Sequence, residues 1–176
     1  MKSSVFKKEN ILKKIIMVST NNTCRSFIAE SLLRQLLLDA HQKNIEVISR
    51  GLVVLFPEPV HVKAADMVIQ KCGIESLDFQ SAQLTQEEVE QSDLILTMTE
   101  EQKEKILEEY HGYKEIATLN EYARVEGAII DPYGMEDDDY ERCFEQIAHL
   151  VKKIWEERLG GNETVSYTHL TLPTNS

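Results

Sequence analysis

The chain has 176 residues, of which 42% are hydrophobic, so it is long enough for one domain with a buried core and is not typical of a disordered protein. Its formal net charge of −11 argues against nucleic acid and anionic membrane surfaces as partners. The sequence contains no run of about 18 apolar residues, the length needed to span a membrane, and the basic N-terminus lacks the apolar segment of a secretory signal. We therefore expect a cytoplasmic protein.

The first half of the chain alternates between strands and helices. Short apolar runs predict the strands, apolar residues spaced three or four apart predict the helices, and two prolines predict an extended loop. In chain order, the predictions are a strand at 14–18, a helix from Ser26 to about His41, a strand at 45–49, an extended loop at 54–60, and a helix at Val62–Cys72 that ends at Gly73.

The second half continues the alternation, and capping boxes mark the start of two of its helices. In chain order, the predictions are a short helix opened by Thr85 and Glu88, a strand at 93–98, a helix capped by Thr99 and Gln102 that runs to about Tyr110, a strand at 115–119, and a final helix from about Asp138. The alternation predicts a single three-layer α/β domain with a four-stranded parallel sheet and helices on both faces. Ligands of such sheets bind beyond the carboxyl ends of the strands.

The predicted domain covers residues 13–159, with an N-terminal extension at 1–12. Residues 160–176 have no helical periodicity, and we interpret them as a disordered tail or as a cloning or sequencing scar. The cysteines are too widely spaced for a metal or disulfide pattern, and scattered histidines favour packing or surface roles over metal binding. These residues are Cys24, Cys72 and Cys143, and His41, His61, His111, His149 and His169. We expect no metal and no cofactor.

A polar loop, STNNTCRS at residues 19–26, lies between the first strand and the first helix. Such a loop presents unpaired backbone N–H groups, the helix dipole adds partial positive charge, and a turn of N–H groups can hold a phosphate-like anion. Arg25 offers a planar fork for two phosphate oxygens, while Asn21 and Asn22 tolerate a left-handed backbone. Taken alone, the loop also fits a polar connection with a solvated arginine.

Several segments together resemble the low-molecular-weight protein tyrosine phosphatases. STNNTCRS followed by AESLL resembles the family's phosphate-binding loop, C-x-G-N-x-C-R-S-P, and SRG at 49–51 stands where the family has S-A-G. QLT at 83–85 and SDLILTMT at 92–99 resemble its middle segment. DPYG at 131–134 resembles the general-acid loop before the last helix, so the resemblance covers residues 13–159 in the family's order.

The resemblance implies a reaction in which a cysteine thiolate attacks phosphorus and water hydrolyses the cysteinyl phosphate. By position, Ser19 stands at the nucleophile position, Arg25 grips the phosphate, Ser26 supports the nucleophile and Asn22 is the structural asparagine of the loop. The phosphate-binding residues implied in this way are Thr20, Asn21, Asn22, Thr23, Cys24, Arg25 and Ser26.

The resemblance also implies that Asp131 is the general acid, which protonates the leaving group and later helps water to attack. Pro132 keeps Asp131 out of helical geometry, as suits a carboxylate presented on a loop. Tyr133 is expected to wall the pocket and pack against the substrate ring, although ordinary packing is an equal alternative.

The chain departs from the family pattern around this loop. Ser19 replaces the nucleophilic cysteine, and a hydroxyl is a poor nucleophile without an adjacent base. Cys24 directly precedes the arginine, so it lacks the spacing that encircles a phosphate. Asn21 replaces a glycine, Phe27 replaces a proline at the helix start, and Phe79 stands where many members have a loop-ordering histidine.

Three functions remain open from the sequence. The first is a phosphotyrosine protein phosphatase that Ser19 severely impairs, and the second is a non-catalytic module (a pseudophosphatase) that binds phosphoproteins or free phosphate. The third is a protein arginine phosphatase, because Thr20 and Thr23 match the CTGNTC form of the loop, which occurs in that group as well as in bacterial tyrosine phosphatases. The expected partners are phosphorylated protein side chains, free phosphate or similar oxyanions, and the expected state is a monomer or weak dimer.

Overall fold

The computed structural model describes residues 13–74 and 77–161. The elements in this part of the chain, in order, are β1 (Lys13–Ser19), α1 (Arg25–Asp39), β2 (Ile45–Gly51), α2 (Val62–Cys72), α3 (Gln86–Gln91), β3 (Leu94–Thr97), α4 (Glu100–Glu109), β4 (Ile116–Thr118), α5 (Leu119–Ala123) and α6 (Asp137–Arg158). The predicted extension at 1–12 and the predicted tail beyond residue 161 lie outside the described residues.

The four strands form one parallel sheet in the order β2-β1-β3-β4. Alternate residues of β1 face opposite sides, so Ile15 and Met17 join a core with α1 and α6, while Ile16 and Val18 join a second core with α3 and α4. Because helices cover both faces, the central strands β1 and β3 have continuous buried runs at residues 15–19 and 94–97, whereas the edge strand β2 alternates between more and less buried residues. The predicted three-layer α/β fold with a parallel sheet is confirmed.

The strand predicted at 115–119 is shorter than expected, because Leu119 already begins a helix. The Thr118 side chain accepts a hydrogen bond from Glu121 N–H, and the Glu121 side chain accepts one from Thr118 N–H. This capping box has the same sequence spacing as those of α3 and α4, which were recognised correctly. The five-residue helix α5 was therefore missed although its sequence carries the signature.

The packed structure extends slightly past the predicted domain end at residue 159. Gly161 is buried, and a Cβ atom added there would overlap the Trp155 indole. In the part of the chain that is described, no helix is both long enough and apolar enough to cross a membrane.

Candidate functional site

The loop that follows β1 lies at the carboxyl edge of the sheet. β1 is paired with β2 on one side and with β3 on the other. The strands remain parallel, but β2 is added on one side of β1 whereas β3 and β4 are added on the opposite side, so β1 is a topological switch point. Crevices that bind ligands form at such switch points. Helix α1 begins at Arg25 and therefore directs its N-terminal amides toward the same place.

The Ser19 hydroxyl lies inside the loop and is hydrogen-bonded to it. Its Oγ is 2.6 Å from Ser26 Oγ and accepts a bond from the Asn22 backbone N–H at 3.2 Å. Asn22 has a left-handed backbone with φ of 61°, as predicted from its residue type. Ser19, Asn22 and Ser26 are all buried, so hydrogen bonds in the interior of the loop stabilise its curled conformation.

The Asn22 side chain connects the loop to two other segments. Its Nδ2 donates to Ser26 Oγ at 2.9 Å and to Ser49 Oγ at 3.0 Å, and its Oδ1 accepts from Ala82 N–H at 3.0 Å. Ser49 in turn donates to Glu30 Oε1 at 2.6 Å. A buried polar network that is satisfied in this way fixes one loop conformation.

The end of β2 approaches the loop closely. Leu52 N–H donates to the carbonyls of Ser19 and Thr20, and Val53 N–H donates to Thr20. A Cβ atom added to Gly51 would lie 3.0 Å from both Thr20 O and Asn22 Cβ. Glycine is therefore required at the third position of the segment SRG because the loop backbone passes there.

Arg25 and Asp131 come together although they are far apart in the sequence. The Arg25 side chain is only 7% exposed, and its Nη1 donates to the Ile129 carbonyl at 2.9 Å. Its Nη2 lies 3.6 Å from Asp131 Oδ2. Asp131 is half exposed and its Oδ1 accepts from Tyr133 N–H at 3.1 Å, so the carboxylate stays accessible from solvent.

The predicted site residues surround one small pocket. Its lining comprises Ser19, Thr20, Asn21, Asn22, Thr23, Cys24, Arg25, His61, Asp131, Tyr133 and Tyr140. Ser26 does not line the pocket but is hydrogen-bonded to Ser19, which does. Tyr133 is 73% exposed. The structure thus brings the predicted residues together, with Ser26 in a supporting layer.

His61 was assigned to packing or surface roles from the sequence, yet it lines this pocket. Its backbone N–H donates to the Thr23 carbonyl at 2.9 Å, and its ring stacks on Tyr140 with centroids 5.1 Å apart. Nδ1 accepts from Lys63 N–H at 3.2 Å, and Nε2 is 3.3 Å from Tyr140 Oη. Both ring nitrogens are engaged, and no local sequence pattern connects His61 with the loop.

Gln102 is a second residue whose role was only partly predicted. Its Oε1 accepts from the N–H groups of Met98 and Thr99, which is the predicted helix cap. Its Nε2 also donates to Thr20 Oγ1 at 3.1 Å, so the side chain orients a hydroxyl of the loop at residues 19–26. A second, wider groove beside the pocket shares Thr20, Arg25 and Asp131 and extends along α4 past Gln102 to Lys105.

Cys24 is not available as a substitute nucleophile. Burial raises the pKa of its thiol to about 12, with Cys143 and Asp131 adding to the shift and Arg25 opposing it. The thiolate is the reactive form of cysteine, so Cys24 is inert near neutral pH. In the described residues no group of three or more His, Cys, Asp or Glu side chains is placed to hold a metal ion.

Two departures from the family pattern contact each other. The rings of Phe27 and Phe79 pack with centroids 4.7 Å apart and planes tilted by 59°. Such aromatic pairs are worth about 0.5–1.5 kcal/mol beyond the area they bury. An apolar contact therefore occupies the position at which many members of the resembled family have a histidine that orders the loop through hydrogen bonds.

Comparisons with known proteins agree on one group. The family model for low molecular weight phosphotyrosine protein phosphatase matches residues 14–164. The low molecular weight protein-tyrosine-phosphatase PtpB of Staphylococcus haemolyticus is 33% identical over 141 residues, which cover 80% of this chain and 96% of the relative.

Solved structures give the same result. The low molecular weight protein tyrosine phosphatase of T. tengcongensis superposes with a TM-score of 0.76 at 29% identity, covering 82% of this chain and 99% of that one. A cysteine-to-serine mutant of YwlE arginine phosphatase, with a phosphorylated active-site serine, has a TM-score of 0.74 at 30% identity. The match covers 82% of this chain and 97% of the mutant.

Proposed function

Since the chain belongs to the low molecular weight phosphotyrosine protein phosphatase family, we propose that it binds the phosphoryl group of phosphorylated protein side chains in the pocket of residues 19–25. One observation carries the proposal: the loop, the buried Arg25 guanidinium and the Asp131 carboxylate converge on a single pocket. Arg25 and the loop amides hold the phosphoryl oxygens, and Asp131 is the general acid for the leaving atom.

The substrate is a protein rather than a small phosphate compound. Most of the large apolar residues exposed in the described part of the chain lie in two segments, and each segment contributes to the pocket or the adjacent groove. They are Val53, Leu55, Phe56 and Val62 in one segment and Ile130, Tyr133 and Met135 in the other. Of these, Val53 and Ile130 line the groove and Tyr133 lines the pocket. Exposed apolar clusters of this kind are typical of surfaces that contact proteins.

Turnover is severely impaired because the nucleophile position holds Ser19. A hydroxyl needs an adjacent base to attack phosphorus. The Cys24 thiol stays protonated, and both ring nitrogens of His61 are already hydrogen-bonded. The domain of residues 13–159 therefore acts mainly as a pseudophosphatase, which binds a phosphoryl group without efficient turnover. We place the protein in a bacterial cytoplasm as a monomer or weak dimer. The unpaired thiols of all three cysteines support the reducing compartment in this proposal.

The solved YwlE mutant supports slow covalent chemistry at Ser19, because a serine in that active site carries a phosphoryl group. In this chain, the bond between phosphorus and the leaving atom breaks as the bond from Ser19 Oγ to phosphorus forms. Asp131 protonates the leaving atom and then receives the hydroxyl proton. The resulting phosphoserine is hydrolysed slowly, so the product accumulates on the protein.

Binding and turnover can be separated with a small set of ligands. We expect inorganic phosphate and a phosphotyrosine peptide to compete for one site, while an aryl phosphate is turned over at a barely detectable rate. Intact-mass measurement after long incubation with the peptide should show one added phosphoryl group, located on Ser19. A chain that binds neither phosphate nor phosphopeptide contradicts the proposal.

Phosphoarginine is the second candidate substrate. The arginine phosphatase YwlE is as similar in structure to this chain as the tyrosine phosphatase of T. tengcongensis. Thr20 and Thr23 line the pocket, and Gln102 orients the Thr20 hydroxyl. Titration with matched phosphotyrosine and phosphoarginine peptides decides between the two, and the tighter-binding peptide identifies the substrate class.

A further inference from the structure

A buried chain of hydrogen bonds links Ser19 to a carboxylate outside the pocket. Ser19 Oγ contacts Ser26 Oγ at 2.6 Å, Asn22 Nδ2 bridges Ser26 Oγ and Ser49 Oγ at 2.9 and 3.0 Å, and Ser49 contacts Glu30 Oε1 at 2.6 Å. The three residues between the ends are at most 1% exposed. We call this the Ser19–Glu30 chain.

Two groups with fixed roles determine the direction of the bonds made by Ser49 and by the Asn22 side chain. A carboxylate only accepts, so Ser49 must give its proton to Glu30. A backbone N–H only donates, so Ala82 fixes Oδ1 as the accepting end of the Asn22 amide. The Asn22 Nδ2 group therefore donates to both serines.

The direction at Ser19 follows from this. Ser26 Oγ accepts from Asn22, and among the described residues the one acceptor in reach of its own buried proton is Ser19 Oγ. Ser19 Oγ then accepts from Ser26 and from the Asn22 backbone N–H. The opposite direction at this bond would leave the Ser26 proton buried without a partner, which is unfavourable. The Ser19 proton is left to point into the pocket that Ser19 lines.

We propose that Glu30 is a positioning residue which, through Ser49, Asn22 and Ser26, keeps the Ser19 hydroxyl turned into the pocket as a hydrogen-bond donor to a phosphoryl oxygen. This inference rests on the proposed function. A thiolate at this position would place a negative charge beside the phosphoryl dianion and repel it. A neutral hydroxyl instead donates a hydrogen bond to the same oxygens. At position 19 the serine therefore contributes to phosphoryl binding, whereas a cysteine would contribute a nucleophile.

Arg34 provides a way to test the direction of the chain. Its Nη2 contacts Glu30 Oε2, while Ser49 uses Oε1, so both carboxylate oxygens are acceptors. In Glu30→Gln, one of these oxygens becomes an NH₂ donor. The guanidinium holds the remaining oxygen, so the NH₂ faces Ser49 and the direction of the chain is lost. Removing the guanidinium frees the amide to turn its oxygen back toward Ser49.

The test measures the dissociation constant of inorganic phosphate by calorimetry, together with the thermal midpoint of each variant. We expect Glu30→Gln to bind about tenfold more weakly, a difference of about 1.4 kcal/mol. Arg34→Ala should bind like the unmodified chain, and the double variant Glu30→Gln with Arg34→Ala should recover most of the affinity. A merely structural role for Glu30 predicts no such recovery, because the double variant has lost more contacts.

A second comparison places the effect on Ser19. In a Ser19→Ala background, Glu30→Gln should cause no further loss of phosphate affinity, since the hydroxyl it orients is absent. Equal affinity of Glu30→Gln and the unmodified chain overturns the inference, as does an undiminished loss in the Ser19→Ala background. Failure of the unmodified chain to bind phosphate would instead refute the proposed function, and this inference with it.

Discussion

Ser19 is the departure from the family pattern that bears most directly on the chemistry of the site. The pocket retains an arginine, a carboxylate and a closed loop, yet the atom that should attack phosphorus is a hydroxyl oxygen. The Cys24 thiol has a raised pKa, and both ring nitrogens of His61 are already hydrogen-bonded. We therefore propose that Ser19 limits the chemistry of the site.

We predict that Ser19→Cys gains hydrolysis of an aryl phosphate, because loop amides and Arg25 favour a thiolate at that position. Adding Asp131→Asn in the same background should lower kcat by about 10²–10⁴-fold, the usual contribution of a general acid. Steady-state kinetics with p-nitrophenyl phosphate measures both effects. If Ser19→Cys binds phosphate but remains inert, the role proposed for Asp131 or the loop geometry is wrong.

The Cys24 thiol should react slowly with alkylating reagents. A pKa of about 12 leaves far less thiolate than in a free cysteine, so we expect labelling at roughly pH 8 to be about 10³-fold slower than for a peptide thiol. The rate should rise steadily with pH while the fold persists. Mass spectrometry of iodoacetamide-treated protein follows the rate, and urea-unfolded protein supplies the unprotected reference. Rapid labelling of Cys24 in the folded chain would contradict the raised pKa of its thiol.

Among the elements, the ends of strands and the starts of helices shape the site. Three helices begin with a threonine capping box, and α4 and α5 follow directly from the carboxyl ends of β3 and β4. In α4 the capping glutamine, Gln102, also donates a hydrogen bond to Thr20 in the loop after β1. The junction between β2 and the loop is tighter still, because Gly51 has no room for a side chain.

Gly51→Ala should disturb both stability and phosphate binding. The new Cβ would lie 2.5 Å from Val54 Cγ2 and 3.0 Å from Thr20 O, so the loop or its neighbour must shift. Overpacking of this kind costs about 1–3 kcal/mol in unfolding free energy. Denaturant unfolding and phosphate titration measure the two effects.

Gly73→Ala is the matched control for this prediction. Gly73 has a φ of 72° and open space around its Cα, so alanine there should cost about 1 kcal/mol without altering the pocket. If both variants lose phosphate affinity equally, the close approach at Gly51 is not what holds the loop.

At the scale of the whole molecule, the charge of the protein opposes its ligand. The chain carries a net charge of −11, yet the proposed ligand is an anion. Binding must therefore come from short-range hydrogen bonds in the pocket and from the buried Arg25, not from a long-range positive field. The negative net charge repels acidic proteins, so we expect such a protein to bind only through a phosphoryl group that enters the loop.

Phosphate should raise the thermal stability of the chain beyond the effect of ionic strength. A ligand at 100 times its dissociation constant adds about 2.7 kcal/mol to the free energy of unfolding. Sodium chloride at equal ionic strength is the necessary control, because screening alone should stabilise so acidic a protein. Arg25→Lys, which cannot form a two-pronged contact, should lose most of the phosphate-specific part in a thermal melt. Equal stabilisation by both salts would contradict specific binding.

Much of the fold follows from local patterns in the sequence. Apolar runs and helical periodicity located the four strands and most helices, because these patterns record which side of each element is buried. The error at Leu119 came from extending an apolar strand across a capping box that was present in the sequence. The family resemblance, and no local pattern, predicted that Ser19, Arg25 and Asp131 belong to one site.

By itself, the sequence determined the α/β class, the position of the loop after the first strand, and the serine at its first residue. Only the tertiary structure decided the strand order, the approach of Arg25 to Ile129 and Asp131, the contacts of His61 and Gln102 with the loop, and the pairing of Ser49 with Glu30. The physical reason is that secondary structure depends on neighbours along the chain. A pocket depends instead on which distant segments become buried together and satisfy each other's hydrogen bonds.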